Sequence, residues 1–133
     1  MSKVKPQFNL EPITDVDVVG QGRRGGVWVT LDKQGRLALS SEYRAKIGIK
    51  GYSAHLYIAV DPAQMTIAIV KQDITRTVAN AAALKVQKDG YVYARAVFAK
   101  LALKAEDGPY RFTYLGPIDH DGTRWDGFRL ITD

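Results

Sequence analysis

Residues 31–49, LDKQGRLALSSEYRAKIGI, decide how the rest of the chain is interpreted, because local rules alone predict their structure. An alternating apolar run meets the turn residues DKQG, 32–35, and a second short apolar run comes after the turn. Ser40-Ser41 can cap a short helix over 42–47, and Gly48 can end that helix. The stretch therefore predicts a strand, a tight turn, a second strand and one or two helical turns.

The same stretch brings cationic side chains together on one surface. Arg36 follows the turn and Lys33 lies within it, whereas Arg44 and Lys46 lie on the short helix. The planar fork of arginine pairs bidentately with phosphate or with the O6/N7 edge of guanine, so Arg36 and Arg44 are the first candidates for DNA contact. The alternatives are an ion pair from Arg36 to Asp32 across the turn and a solvent-facing Arg44.

Charge is unevenly distributed along the chain. The 133 residues carry a net charge of +5, and the sequence pI is near 9.5. Residues 20–50 hold seven basic and two acidic side chains, whereas residues 105–133 hold three basic and six acidic ones. A basic surface beside an acidic end is typical of a protein that binds a polyanion, although a solvated surface with lysine-rich turns would have the same composition.

The stretch 31–49 resembles the looped-hinge-helix unit of AbrB-like transcription factors. The resemblance rests on Asp32, Gly35-Arg36, Glu42-Tyr43-Arg44 and 47–49, and the hairpin over 55–70 extends it. The family usually has a proline before the helix, where this chain has Ser40, which can still cap it. The resemblance implies a swapped-hairpin barrel, homo-oligomers, and DNA contacts at the positions of Arg36 and Arg44.

The chain contains the pattern of this unit twice. A shift of 55 positions places Gly35 on Gly90, Leu37 on Val92 and Tyr43 on Phe98, and shortening the second helix by one residue aligns the segments after the two helices. Both halves then have the order β-turn-β, short helix, β-turn-β. Two unrelated hairpins with similar turns are the alternative. The MraZ-like branch of the family has such tandem units in one chain, and a tandem has a physical reason, because one small unit buries too little apolar surface.

The second copy lacks the arginines of the first. In this alignment Tyr91 takes the place of Arg36, and Ala99 takes the place of Arg44. We therefore expect the second half to be structural, and replacement of Arg95 or Lys100 to leave DNA affinity almost unchanged. A single DNA-contacting surface per chain favours a homodimer or a higher homo-oligomer.

These features divide the chain into four segments. Residues 1–25 are expected to form a flexible basic arm whose Arg23 and Arg24 contact DNA, with a solvated tail as the alternative. Residues 26–72 are the AbrB-like DNA-binding unit, 73–82 the linker, and 83–133 the second, degenerate unit with a structural or oligomerisation role.

Other candidate sites have weaker support. We expect Asp32 to be structural, and the aromatic residues Trp28, Tyr43, Tyr57 and Phe98 to lie in the core. Alternate aromatic residues on the later strands can stack the bases of single strands, or simply fill a small barrel (Tyr91, Tyr93, Tyr110, Phe112 and Tyr114). Asp119-His120-Asp121 contains metal-ligand types, but adjacent residues rarely converge on one ion.

The sequence predicts a mainly β protein with short helices, in which tandem looped-hinge-helix units form swapped-hairpin barrels. No catalytic motif, membrane-length apolar run, signal-peptide core or cysteine occurs in the sequence. We expect a cytoplasmic, nucleoid-associated transcriptional regulator, not an enzyme, that binds double-stranded DNA sequence-selectively as a homo-oligomer, without a cofactor or metal. The alternatives are a protein-binding module, antitoxin-like or a host-directed inhibitor, whose basic face docks a partner, and a single-stranded nucleic-acid binder.

Overall fold

Short strand pairs alternate with short helices along the chain. A computed structural model of the protein describes residues 10, 26–73, 78 and 81–131. These residues contain eight strands, β1 (Trp28–Leu31), β2 (Arg36–Leu39), β3 (Ala54–Asp61), β4 (Thr66–Lys71), β5 (Ala83–Val86), β6 (Tyr91–Tyr93), β7 (Tyr110–His120) and β8 (Thr123–Leu130). They also contain the α-helices α1 (Ser41–Lys46) and α2 (Arg95–Leu101), and single 3₁₀ turns at Pro62–Gln64 and Ala105–Asp107. Each half thus has the order β-β-α-β-β.

Helix α1 forms as its local sequence predicts. The hydroxyl of Ser40 accepts a hydrogen bond from the backbone N–H of Tyr43 at 3.2 Å and caps the helix. The helix begins and ends one residue earlier than expected, and Gly48, with a φ of 78°, follows its end. Glycine adopts this left-handed conformation without the penalty that a Cβ would bring.

The strands form one antiparallel sheet that nearly closes into a barrel. Their order is β5-β3-β4-β8-β7-β1-β2-β6. The two outermost strands, β5 and β6, are consecutive in the chain and are joined by a tight turn, in which Gln87 N–H donates to Tyr91 O at 3.0 Å. The expectation of a mainly β fold with short helices is confirmed.

Strand pairing relates the two halves by an approximate two-fold axis. The register of β2 with β6 is centred on Leu37 opposite Val92, and the register of β4 with β8 includes Ala68 opposite Gly127. The pairing of β1 with β7 is matched by that of β5 with β3. Every strand of the first half therefore pairs with a strand of the second half.

The shift of 55 positions holds for the turns and for β2 and β6. Leu39 N–H donates to Gly90 O at 2.9 Å, and the equivalent bond from Ala94 N–H to Gly35 O is 3.1 Å long. The two bonds are reciprocal: the β5–β6 turn accepts a hydrogen bond from the end of β2, and the β1–β2 turn accepts one from the residue that follows β6. The expected alignment is correct over this part of the chain.

The helices follow a shift of 54 positions, so the expected alignment is wrong there. At the end of α1, Ile49 N–H donates to Arg44 O at 2.9 Å, and at the end of α2 the matching bond joins Leu103 N–H to Phe98 O at 3.0 Å. The second half is therefore one residue shorter than the first before α2, and not within α2 as expected. Phe98, and not Ala99, is the counterpart of Arg44.

One core serves both halves. The largest fully buried side chains come from strands of each half and from α1, and they pack in a single cluster (Val29, Leu31, Leu37, Tyr43, Leu56, Ile67, Ile69, Val86, Val92, Phe112 and Phe128). Neither half alone can form this cluster, because its members come from both halves and lie on strands that pair with one another. This arrangement makes the fold of each half dependent on the other.

Three of the four aromatic residues expected in the core are buried. Tyr43, Tyr57 and Phe98 are at most 6% exposed. Trp28 is only half-buried, and the expectation for it is wrong. Val29 takes the inward position on β1, so the alternation of side chains turns Trp28 to the outer face, where the Arg111 guanidinium lies 4.2 Å from its ring centre.

The basic arm expected over 1–25, apart from Leu10, lies outside the described residues, as do Arg23 and Arg24. The same holds for residues 74–77, 79 and 80 of the expected linker. The division of the chain into a DNA-binding unit, a linker and a structural unit remains a prediction.

Candidate nucleic-acid interface

Asp32 organises the turn between β1 and β2. Its Oδ1 accepts hydrogen bonds from the backbone N–H groups of Gln34 and Arg36, both at 2.9 Å. Its Oδ2 accepts a third from Arg36 Nε, also at 2.9 Å. The structural role expected for Asp32 is confirmed, and the alternative for Arg36, an ion pair across the turn, is present.

Arg36 is held in place on three sides. Besides its bond to Asp32, its Nη2 donates to Gln34 Oε1 at 3.0 Å, and its guanidinium lies 4.0 Å from the centre of the Tyr91 ring. The side chain remains one-third exposed, and no described residue accepts a hydrogen bond from Nη1. This fixed guanidinium, with one edge open, can bind a phosphate or a base edge with little loss of side-chain entropy.

Contrary to expectation, the Arg44 guanidinium is not a second unobstructed group beside that of Arg36. Its guanidinium lies against the turn between β5 and β6, and Nη1 donates to Lys88 O at 3.2 Å. Gly90 makes this approach possible, since a Cβ there would lie 2.7 Å from Arg44 Nε. The Nε atom is buried and has no hydrogen-bond partner among the described residues. A DNA contact by Arg44 remains a prediction, and it would require this side chain to move.

The two candidate lysines occupy different surroundings. Lys33 is exposed in the β1–β2 turn beside the Arg36 site. Lys46 is also exposed, and its Nζ lies 4.9 Å from the centre of the Tyr114 ring on the side of α1. Lys33 therefore extends the Arg36 surface more directly than Lys46 does.

A groove of about 590 Å³ opens next to the same turn. Lys33 and Gly35 line it from the first half, and Tyr93, Arg95 and Phe98 line it from the second. Tyr93 is 79% exposed. The structure thus brings an aromatic ring and a cation of the second half beside the basic surface, and the expectation that the second half is structural and does not contact DNA remains a prediction. We call this groove, which Gln34 and Ala105 also line, the turn groove.

Sequence reasoning missed the turn groove because its two sides are far apart in the chain. Local rules connect neighbours in sequence, but Lys33 and Arg95 line one groove because β2 pairs with β6. The available signal was the segment YVYAR, 91–95, in which the half-buried Tyr91 and the exposed Tyr93 flank the buried Val92.

The segment Asp119-His120-Asp121 lies at the tip of the hairpin formed by β7 and β8. His120 Nε2 is 3.3 Å from Asp121 Oδ2, and Arg124 Nε donates to Asp119 Oδ1 at 3.2 Å. These side chains are largely exposed. In the part of the chain that the structure describes, no group of three or more His, Cys, Asp or Glu residues could hold a metal ion.

Replacing Asp32 with alanine is expected to loosen the Arg36 site. The variant loses the three hydrogen bonds that the carboxylate accepts, and we therefore expect the free energy of unfolding to fall by about 1–2 kcal/mol. Urea unfolding followed by tryptophan fluorescence measures this change. Glu106→Ala is the matched control, since that side chain is exposed, and its effect is expected to stay within about 0.5 kcal/mol. Equal effects of the two substitutions would contradict the role given to Asp32.

Comparisons of the chain with models of protein families, with curated proteins and with solved structures give no match. No helix among the described residues is long and apolar enough to cross a membrane.

Proposed function

We propose that this protein binds double-stranded DNA through a basic surface formed by Arg36, Lys33 and the neighbouring turn. The observation that carries the proposal is the Arg36 guanidinium, fixed by Asp32 and Tyr91 with one edge open to solvent. Such a group can bind a further anionic or polar partner, and DNA offers both phosphate oxygens and guanine edges.

The charge distribution supports the same partner. The cationic residues of 20–50 include those of the Arg36 surface, whereas the last 29 residues are net acidic. Long-range attraction would steer a polyanion toward the first-half turn, and the affinity should fall steeply with salt.

The fold supports, as a further part of the proposal, an AbrB-like regulator. Each half has the order strand, turn, strand, short helix and hairpin, and pairs of strands from the two halves alternate within one barrel-shaped sheet. We propose that the chain forms an internal swapped-hairpin barrel, assembles as a homodimer or higher oligomer, and regulates transcription at the nucleoid. DNA shape would then contribute to site choice along with direct contacts.

Arg36→Ala is expected to weaken binding to duplex DNA by about 1–3 kcal/mol while the fold stays intact. Fluorescence anisotropy with a labelled duplex measures the affinity, and circular dichroism verifies the fold. Arg36→Lys separates charge from geometry, because lysine keeps the charge but lacks the fork, and we expect it to lose most of the same affinity.

Lys100→Ala is the control for Arg36→Ala. Lys100 is an exposed cation on α2 that does not line the turn groove, and its replacement is expected to change duplex affinity by less than about 0.5 kcal/mol. Unchanged binding by a folded Arg36→Ala variant, or failure of the native protein to bind any duplex at low salt, would refute the proposal.

A further inference from the structure

Because the two halves are related by an approximate two-fold axis, the turn groove at Gly35 can be compared with the equivalent place at Gly90. Gly90 is the counterpart of Gly35, and Phe98 is the counterpart of Arg44. At Gly90 the Arg44 side chain covers the glycine, with Nε 2.7 Å from the position of a Cβ. At Gly35 no heavy atom lies within 4 Å of that position. The groove is open because Phe98 turns inward, where its ring packs edge-on against Tyr110 at 6.5 Å.

Two further differences between the halves change the residues that line the turn groove. Tyr93 stands at the strand position equivalent to Ala38 and presents a largely exposed ring. Arg95, the first residue of α2, stands where α1 has Ser41. The second half has thus lost the side chain that would fill the groove and has gained an aromatic wall and a cation. All three differences favour an aromatic, anionic ligand.

We infer that the turn groove binds one unstacked nucleotide, with its base on the Tyr93 ring and its phosphate between Lys33 and Arg95. The volume of about 590 Å³ lies within the range of small-ligand pockets, roughly 300–1,000 Å³. Aromatic side chains bind bases through their π-faces, and the neighbouring cations attract the backbone.

This inference does not rest on the proposed duplex binding. Bases inside a duplex are stacked on their neighbours and cannot lie on Tyr93, so the groove would bind a free nucleotide or a single strand. A guanidinium is the other group whose shape fits, by analogy with Arg44 at Gly90, but Lys33 and Arg95 would repel it.

The first experiment removes the ring. Anisotropy of a labelled five-residue oligothymidylate reports strand binding, and thymidine monophosphate and acetyl-arginine amide serve as competitors. We expect Tyr93→Ala to weaken oligonucleotide binding by about tenfold or more, and Tyr93→Phe to retain it, because the ring carries the stacking. Tyr52→Ala is the control, since Tyr52 is 68% exposed and does not line the groove.

The second experiment fills the groove and adds positive charge at the same time. Ala105 lines the groove, so Ala105→Arg should block the ligand and weaken binding about tenfold despite its added charge. Ala96→Arg places the same charge on an exposed position of α2 outside the groove and should leave binding unchanged or strengthen it. The opposite signs separate occupation of the groove from general electrostatic attraction. Should Ala105→Arg fail to fold, the Tyr93 pair remains decisive, because that side chain is exposed.

Each outcome decides between the ligands. Competition by thymidine monophosphate identifies a free nucleotide as sufficient, and binding of the oligomer alone identifies a strand; both support the inference. Binding of neither, unaltered binding after Tyr93→Ala, or competition by acetyl-arginine amide alone would overturn it. Oligomer binding that depends on Tyr93, together with no duplex binding, would refute the proposed function and leave this inference standing.

Discussion

A fragment that ends at Gln72 is expected not to form a stable monomeric fold. The cut removes one of the two pairing partners of each first-half strand, because β1, β2, β3 and β4 pair with β7, β6, β5 and β8, and it leaves only the hairpins β1–β2 and β3–β4. It also removes the side chains of the second half from the shared core, among them Phe112 and Phe128, which are fully buried. We expect an aggregated, largely unfolded or obligately dimeric product.

Light scattering after gel filtration, with circular dichroism, distinguishes these products of the fragment. The full-length chain is the reference, and addition of the fragment 73–133 provides a further control. Because each half supplies the missing strands of the other, we expect the two fragments to form a 1:1 complex with the spectrum of the full-length protein. A fragment that remains a stable monomer with full duplex affinity would contradict the shared core.

A dimeric fragment would have a specific explanation. The first half could pair with a second copy of itself along β2 and β4, the two strands that pair with their own counterparts in the full-length chain. Such a dimer would resemble the internal arrangement and would bury the otherwise exposed core side chains. Its dissociation should be concentration-dependent and coupled to unfolding.

The elements that the sequence predicted best are those whose structure depends on neighbouring residues. The turn at Asp32, the cap at Ser40 and the stop at Gly48 involve contacts within a few positions, so residue type is enough to predict them. The mainly β character arises from the same local patterns, because alternating apolar runs occur between turn residues.

The expectations that failed involve tertiary placement. The side on which Trp28 lies depends on which face of β1 meets the core, and the sequence pattern alone did not distinguish the two. The free position expected for the Arg44 guanidinium is wrong, because that group lies against the β5–β6 turn, more than 40 positions away, whereas a DNA contact by Arg44 remains a prediction. The one-residue error in the helix alignment hid the relation between Arg44 and Phe98, and with it the origin of the turn groove.

Tyr43 links α1 to the second half through a partly buried polar contact. Its side chain has no exposed surface, its ring packs edge-on against Phe128 with centres 4.9 Å apart, and its hydroxyl donates to Asp126 Oδ2 at 2.8 Å. The Tyr114 hydroxyl lies 3.5 Å from the other carboxylate oxygen of Asp126. Loss of the Tyr43 ring would therefore leave both a cavity and a carboxylate without its closest donor.

Tyr43→Ala is expected to lower the free energy of unfolding by about 3–5 kcal/mol, the usual cost of removing a buried aromatic ring. Tyr43→Phe keeps the ring and loses only the hydroxyl, so we expect a smaller loss, about 1–3 kcal/mol. Urea unfolding measures both, and Tyr52→Phe, at a position that is 68% exposed, should have almost no effect. A Tyr43→Ala variant as stable as the native protein would show that α1 does not anchor the core.

The alkaline limit of stability is expected to depend on the same residue. Burial, and then the charge of Asp126 and the hydrogen bond to it, raise the pKa of the Tyr43 phenol far above its ordinary value. In the unfolded chain this phenol ionises near pH ~10, whereas in the folded protein it stays neutral. Its contribution to stability is therefore complete below pH ~10 and declines as the pH rises above that value, because the unfolded state releases the proton. Urea midpoints at about pH 9 and about pH 11 should differ more in the native protein than in Tyr43→Phe, which lacks the ionisable group. An equal difference in the two proteins would show that Tyr43 does not set the alkaline limit.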